Sequence, residues 1–260
     1  MVVGWHSVFL KNDGSLWGMG LNTSGQLGLG DANNRNDPTE IVDSNVVAMA
    51  AGSNYSLFIK SDGSLWTVGA NESGQLGTGN NIDSRTPLQI EATGVTAVAA
   101  AASQSFFIKT GGVLWGMGNN ADGQLGVFNG LASYNVPQEI MSPGVVAIDA
   151  HEKHTLVLGN LGALYTGGDN DEGQLGTGTY ESRSVILPIN TDSVSRLSGT
   201  SGHANLAPLV TTDSASQLAG KLIEFEIFAD DGASTEQQVD IYFESGGTAW
   251  GGFAGRVVWR

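Results

Sequence analysis

The stretch Asp13–Gly30, DGSLWGMGLNTSGQLGLG, decides the fold because it returns as DGSLWTVGANESGQLGTG at 62–79 and, with substitutions, at 111–128 and 161–178. GQLG begins at Gly25, Gly74, Gly123 and Gly173, in steps of 49, 49 and 50 residues. Trp17, Trp66, Trp115 and Tyr165 keep the same step, as do Asn22, Asn71, Asn120 and Asn170, while Pro38, Pro87, Pro137 and Pro188 follow it more loosely. His6, Tyr55, Gln104, His154 and His203 form a further column, so a fifth unit starts near Thr200. Ser214 stands where its tryptophan belongs and no GQLG follows, which ends the regular array near residue 210. A period of this size is the signature of a repeat architecture.

Each unit opens with a hairpin: an apolar run, a tight turn and a second apolar run, as in YSLFIKSDGSLWTVG at 55–69. A loop carrying the proline then leads to another short strand: VVAMAAG at 46–52, VTAVAAA at 95–101 and VVAIDA at 145–150. Three or four short strands cannot bury both faces alone, so neighbours must stack on them. A β-propeller is the closed solution, and the alternation of small and bulky residues suits blades that narrow towards an axis. A linear β-solenoid competes, but with shorter rungs. The aromatic column, ending the second hairpin strand beside small residues, is expected to be buried, with a cost of about 3–5 kcal/mol for Trp66→Ala as a core truncation.

Composition agrees with an all-β globular chain. There are 38 Gly, 6 Pro and no Cys among 260 residues, and 14% are charged, below the common value of about 25%. The net charge of −15 opposes a phosphate backbone, so nucleic acid and anionic membranes are poor partners. Without cysteine there are no disulfides, thiolate metal sites or thiol nucleophiles. No basic leader followed by an apolar run is visible at the start, and no apolar run reaches the roughly 20 residues of a membrane-spanning helix.

The pattern GxxHSxxL followed by DGxLWxxGxNxxGQLGxG resembles the repeat of the regulator of chromosome condensation family, over about residues 3–199. The resemblance implies a propeller, commonly of seven blades, and members that act on a small GTPase or bind chromatin. Four full units and a fragment cannot make seven blades. A propeller of about five blades is therefore expected: repeats over 1–210, with units near 3–51, 52–100, 101–150 and 151–199 and a fragment from 200, and a divergent β tail over 211–260. In the tail, KLIEFEIFAD, QQVDIYFES and GRVVWR read as alternating strands. They would close the ring as a last blade, or form a separate sheet for attachment or oligomerisation.

Side chains that could carry chemistry are absorbed by the repeat. Tyr55 and Gln104 share the column of His6, His154 and His203, which points to a hydrogen-bonding side chain between blades and not to an imidazole as such. His151 precedes His154 by three residues, and a strand would send them to opposite faces, against a chelating pair. DNDEG at 169–173 resembles the opening of a calcium loop, yet it aligns with LNTSG, ANESG and NNADG, so it reads as one variant of a structural turn; DANNRNDP at 31–38 reads likewise. The GMG and GQLG glycines lack the helix and lysine of a phosphate loop. Asn22, Asn54 and Asn71 head glycosylation triplets. No nucleophile, base and orienter stand together.

A non-catalytic binding module follows, with no cofactor, no metal and no catalytic residue assigned, and with a protein or glycan ligand at the variable loops DANNRNDPTE, NNIDSRTPLQ, FNGLASYNVPQE and TYESRSVILP. Low charge and abundant Gly, Asn, Ser and Thr favour an adhesion module at an extracellular surface or a virion protein such as a phage fibre. The alternative is an intracellular regulator acting on a small GTPase or another protein. A carbohydrate-acting enzyme lacks a separated carboxylate pair.

Overall fold

The computed structural model describes residues 5–128 and 130–189, with the strand segments 238–240, 244–245, 248–249 and 256–258 beyond them. Among the described residues every regular element is a β-strand, and no helix is long and apolar enough to cross a membrane.

Among the described residues of the first unit, Met1–Pro208, there are four antiparallel sheets. The first has three strands: β1 (His6–Leu10), β2 (Leu16–Gly20) and β3 (Arg35–Val42). The second runs β4 (Val46–Ala51), β5 (Tyr55–Lys60), β6 (Leu65–Gly69) and β7 (Ser84–Glu91). The third is β8 (Val95–Ala100), β9 (Gln104–Lys109), β10 (Val113–Asn119) and β11 (Ser133–Met141), and the fourth β12 (Val145–Ala150), β13 (His154–Gly159), β14 (Leu164–Gly168) and β15 (Arg183–Pro188). Strands follow chain order within each sheet, as in a propeller blade.

Repeat and sheet are out of phase. The strand that ends one sequence unit, Val46–Ala51, pairs with Tyr55–Lys60 of the next. These first strands are alanine-rich, with Ala48, Ala50, Ala99, Ala100, Ala147 and Ala150 buried. Short side chains let β4, β8 and β12 approach one another in succession. The core is a series of layers between sheets: Phe58 packs with Val8, Leu10 and Leu16, Phe107 with Leu57, Ile59 and Leu65, and Val157 with Phe106, Ile108 and Leu114.

The structure corrects two expectations. Pro38, Pro87 and Pro137 lie within the outer strands β3, β7 and β11, and Pro188 ends β15, where the repeat pattern predicts loops. Among the described residues each outer strand has a ladder partner on one side only, so a residue without an N–H is tolerated there and blocks pairing with a foreign strand. Trp17, Trp66, Trp115 and Tyr165 do share one blade position, but they are half-buried. The leucine before each tryptophan takes the core site: Leu16, Leu65 and Leu114 are 0–1% exposed.

In the second unit, Leu209–Arg260, the strands β16 (Gln238–Asp240) and β19 (Arg256–Val258) pair antiparallel, as do β17 (Glu244–Ser245) and β18 (Thr248–Ala249). KLIEFEIFAD, the fifth-unit fragment with His203, and the closure of a fifth blade lie outside the described residues.

Candidate binding face

The loops β2–β3, β6–β7, β10–β11 and β14–β15 leave the same end of the strands, and one buried asparagine organises each. The Oδ1 atoms of Asn22, Asn71, Asn120 and Asn170 accept from the main-chain N–H of Leu27, Leu76, Leu125 and Leu175 at 2.8–3.0 Å. Their Nδ2 atoms donate across the loop, to Asp31 O, to Asn80 O and Ile82 O, to Val127 O and Leu131 O, and to Thr179 O and Glu181 O. A buried amide must be satisfied in this way, and it fixes the loop without consulting the residues at its tip. Asn22 and Asn71 are 0% exposed, which puts both triplets out of reach of glycosylation.

Glycine at the turn lets the next sheet come close. Gly74 has φ +81°, and an added Cβ would lie 2.5 Å from Asn135 Cα in β11; Gly25 meets Arg85 and Gly123 meets Ser184 in the same way. Beside this contact, the hydroxyls of Ser56, Ser105 and Thr155 donate to the carbonyls of Gln26, Gln75 and Gln124 in the preceding repeat at 2.7–2.9 Å. These joints hold the loops at fixed spacing.

Three members of the mixed column, His6, Tyr55 and Gln104, bond between sheets. Tyr55 donates its phenolic hydrogen to the carbonyls of Gln104 and Ala101, and Gln104 Nε2 donates to His151 O and Glu152 O at 2.8 and 2.7 Å. His6 Nε2 lies 2.9 Å from Ser56 Oγ. Since the Ser56 hydrogen is directed at Gln26 O, the imidazole is the donor in its neutral Nε2–H form. Burial pushes the His6 pKa down from the usual 6.5 to about 4.

His151 and His154 depart from expectation: their rings stack, with centroids 5.3 Å apart. His151 lies before the strand, in a turn closed by its N–H to His154 O, so strand alternation does not separate them. Burial lowers the pKa of both, and for His154 the neighbouring His151 adds to the effect. DNDEG adopts the same turn as its counterparts, with Gly173 N–H donating to Asn170 O as Gly74 N–H does to Asn71 O. Both Asn170 side-chain atoms are engaged within the loop. Among the described residues no three His, Cys, Asp or Glu gather as metal ligands.

At the opposite end of the strands, Asp13 and Asp62 accept from Ser15 and Ser64, whose hydroxyls receive the indole N–H of Trp17 and Trp66. The bonds from Ser15 and Ser64 hold both carboxyls below their usual pKa. Lys11, Lys60 and Lys109 lie over Trp17, Trp66 and Trp115, 3.4–5.6 Å from the ring centroids. Such cation–π contact, with stacking of Trp66 on Phe58 and Trp115 on Phe107, explains why the column tolerates exposure.

The asparagine-anchored loops carry what a partner could read. Ile82 (71% exposed), Phe128 (77%), Leu131 (55%) and Tyr180 (74%) project from them. Glu72, Asp83, Asp171, Glu172 and Glu181 lie among these residues. The sequence singles out the loops but not these side chains, because exposure of an apolar residue has no local sequence signal.

The curated proteins contain no match to this chain. Among solved structures, human WBSCR16 superposes with a TM-score of 0.62 at 24% identity, over 71% of this chain and 49% of that one. Prp20p from Saccharomyces cerevisiae, described together with its binding properties to Gsp1p and histones, gives 0.64 at 19%, over 72% and 48%. Yeast RCC1 (Prp20), solved with Kap60 bound to it, gives 0.63 at 19%, over 72% and 47%. The chain thus spans about half the length of these relatives, and the likeness establishes the propeller fold. The family model described as regulator of chromosome condensation (RCC1) repeat matches residues 13–59, 62–108 and 111–158, more than half of the 260 residues, and a second model of that description matches 46–75. The chain belongs to the regulator of chromosome condensation (RCC1) repeat family.

Proposed function

We propose that the array is a non-catalytic protein-binding platform whose partner docks on the asparagine-anchored loops. The observation that carries this reading is the contrast within each loop: a buried amide identical in all four repeats, and outward residues that differ, with Ile82, Phe128, Leu131 and Tyr180 exposed. A rigid frame with variable tips is how scaffolds present recognition surfaces, and exposed aromatic side chains are typical binding anchors. The solved relatives described with Gsp1p, histones and Kap60 favour a protein ligand over a glycan. They also favour the regulator reading over display on a cell surface or virion, which rests on composition alone.

The test replaces Ile82, Phe128 and Tyr180 together by serine. A protein captured by the wild-type chain should lose affinity for the triple variant at least tenfold while the melting temperature is unchanged, and cross-links should map to residues 78–84, 127–132 and 177–183. Undiminished affinity, or cross-links confined to the Lys11, Lys60 and Lys109 end, would overturn the reading. The narrower regulator function is tested by nucleotide release from small GTPases, which the loop variant should no longer accelerate.

A further inference from the structure

The loops that follow Asn22, Asn71 and Asn170 have the same length, so Asp31, Asn80 and Thr179 fall on one position and Arg35, Ser84 and Arg183 on another. The structure keeps both columns. The carbonyls of Asp31, Asn80 and Thr179 accept from the Nδ2 atoms of the three buried asparagines at 2.8–3.1 Å. Their side-chain oxygens accept from the N–H two residues on, of Asn33, Ile82 and Glu181, at 2.9, 2.9 and 3.4 Å. Arg35, Ser84 and Arg183 open the outer strands opposite Gly20, Gly69 and Gly168.

Charge is matched between the two columns twice and unmatched once. Asp31 Oδ2 accepts from Arg35 Nη2 at 2.8 Å, and Arg35 Nη1 donates to Asn33 O at 2.6 Å. In the second loop both members, Asn80 and Ser84, are neutral. In the fourth loop the arginine is kept and the acid is not. Thr179 offers a hydroxyl in its place, and Arg183 Nη1 is buried without a hydrogen-bond partner. Glu181 O, the counterpart of Asn33 O, already accepts from Asn170 Nδ2. Both partners of Arg35 belong to its own loop, so what Arg183 lacks is the acid at position 179 and not the cover of a neighbouring sheet. A buried charged donor without an acceptor is costly.

We propose that Thr179 is a phosphorylation site and that Arg183 receives its phosphoryl group, which gives the fourth loop the ion pair that Asp31 and Arg35 make in the first. Thr179 is exposed, while the hydroxyls on either side serve the frame: Thr177 Oγ1 accepts from Asn170 Nδ2 and Ser182 Oγ from Asn170 N–H. In the transfer, Thr179 Oγ1 attacks the γ-phosphorus of a nucleoside triphosphate held by a protein kinase. The Oγ1–P bond forms as the bond from that phosphorus to the bridging oxygen of the nucleoside diphosphate breaks, and the hydroxyl proton passes to a base of the kinase. Asp169, Asp171, Glu172 and Glu181 in the same loop repel a free anion. A phosphoryl group fixed to Thr179 is instead held beside the arginine at high effective concentration, and a phosphate facing a guanidinium makes short charge-assisted hydrogen bonds.

The full chain is the object of the test. Incubated with ATP and a lysate of its source cells, it is expected to gain a phosphoryl group that fragmentation mass spectrometry places on Thr179. With phosphothreonine installed at 179 during synthesis, phosphorus NMR should follow a second ionisation, ordinarily at about pH 6, that Arg183→Gln makes about tenfold weaker. Arg183→Lys, which keeps the charge, should move it less. Thr179→Asp, which copies the first loop, should raise the melting temperature of the wild-type chain but not that of Arg183→Gln. A phosphoryl group found only on Thr177, Tyr180 or Ser182, or on none of these residues, would overturn the inference. So would an ionisation that Arg183→Gln leaves unmoved, or equal gains from Thr179→Asp with and without the arginine; Arg183 would then be a remnant of a lost pair. No measurement here uses a binding partner or alters Ile82, Phe128 or Tyr180, so the docking reading stands or falls separately.

Discussion

The Ser105 hydroxyl donates to the Gln75 carbonyl at 2.7 Å, across the seam between two sheets and from one repeat to the one before it. Ser105 is 0% exposed, so water cannot replace the donor. Ser105→Ala leaves a buried carbonyl unpaired and is expected to lower stability by about 1–2 kcal/mol. Ser105→Thr should retain most of it, since Thr155 makes the same bond to Gln124 O. Denaturant midpoints followed by tryptophan fluorescence decide this; equal midpoints for the wild type and the alanine variant would refute it.

Leu65 and Trp66 reverse the order that residue size suggests. Leu65 is fully buried in the layer between the second and third sheets, so Leu65→Ala should cost about 3–4 kcal/mol. Trp66 is half-buried, stacked on Phe58 and roofed by Lys60, so Trp66→Ala should cost about 2 kcal/mol, less than a buried aromatic would. A larger loss for Trp66→Ala would contradict this.

Gly74 and Gly111 separate backbone strain from steric contact. Both have positive φ, +81° and +88°, but a Cβ at Gly111 meets nothing within 4 Å while one at Gly74 strikes β11. Gly111→Ala should cost about 1 kcal/mol, the conformational penalty alone. Gly74→Ala must also open the seam and should cost at least twice that. Equal melting temperatures for the two variants would show that the seam yields freely.

His6 sets a pH dependence whose sign follows from its burial. The folded chain keeps it neutral down to about pH 4, whereas the unfolded chain protonates it near 6.5. Its contribution is fully present above pH 6.5 and is lost as pH falls towards 4, amounting to about 3 kcal/mol over that window. His6→Gln should reduce the drop in stability between pH 7 and pH 4 relative to wild type. His151 and His154, also lowered chiefly by burial, remain in both proteins and cancel in the comparison. An unchanged drop would mean that His6 takes up its proton in the folded state.

The period of the sequence by itself determined the repeat, its hairpins and the asparagine and glutamine columns, because those features rest on contacts within one turn or one hairpin. It also identified the His6, Tyr55 and Gln104 column as hydrogen-bonding, since three unlike side chains at one step share little else. It did not reveal their acceptors, which lie in the next sheet. Tertiary structure decided that Val46–Ala51 joins the sheet after it and that Pro87 sits in an outer strand, because strand pairing is a choice among distant main-chain partners that local residues do not report. It decided that Leu65 is covered and Trp66 half open, and that His151 stacks on His154, because cover depends on the neighbouring sheet and on a turn where strand alternation has stopped. Ser7 and Ser56 carry the same side chain in the same column; whether that hydroxyl is buried is settled only by which sheet stands in front of it.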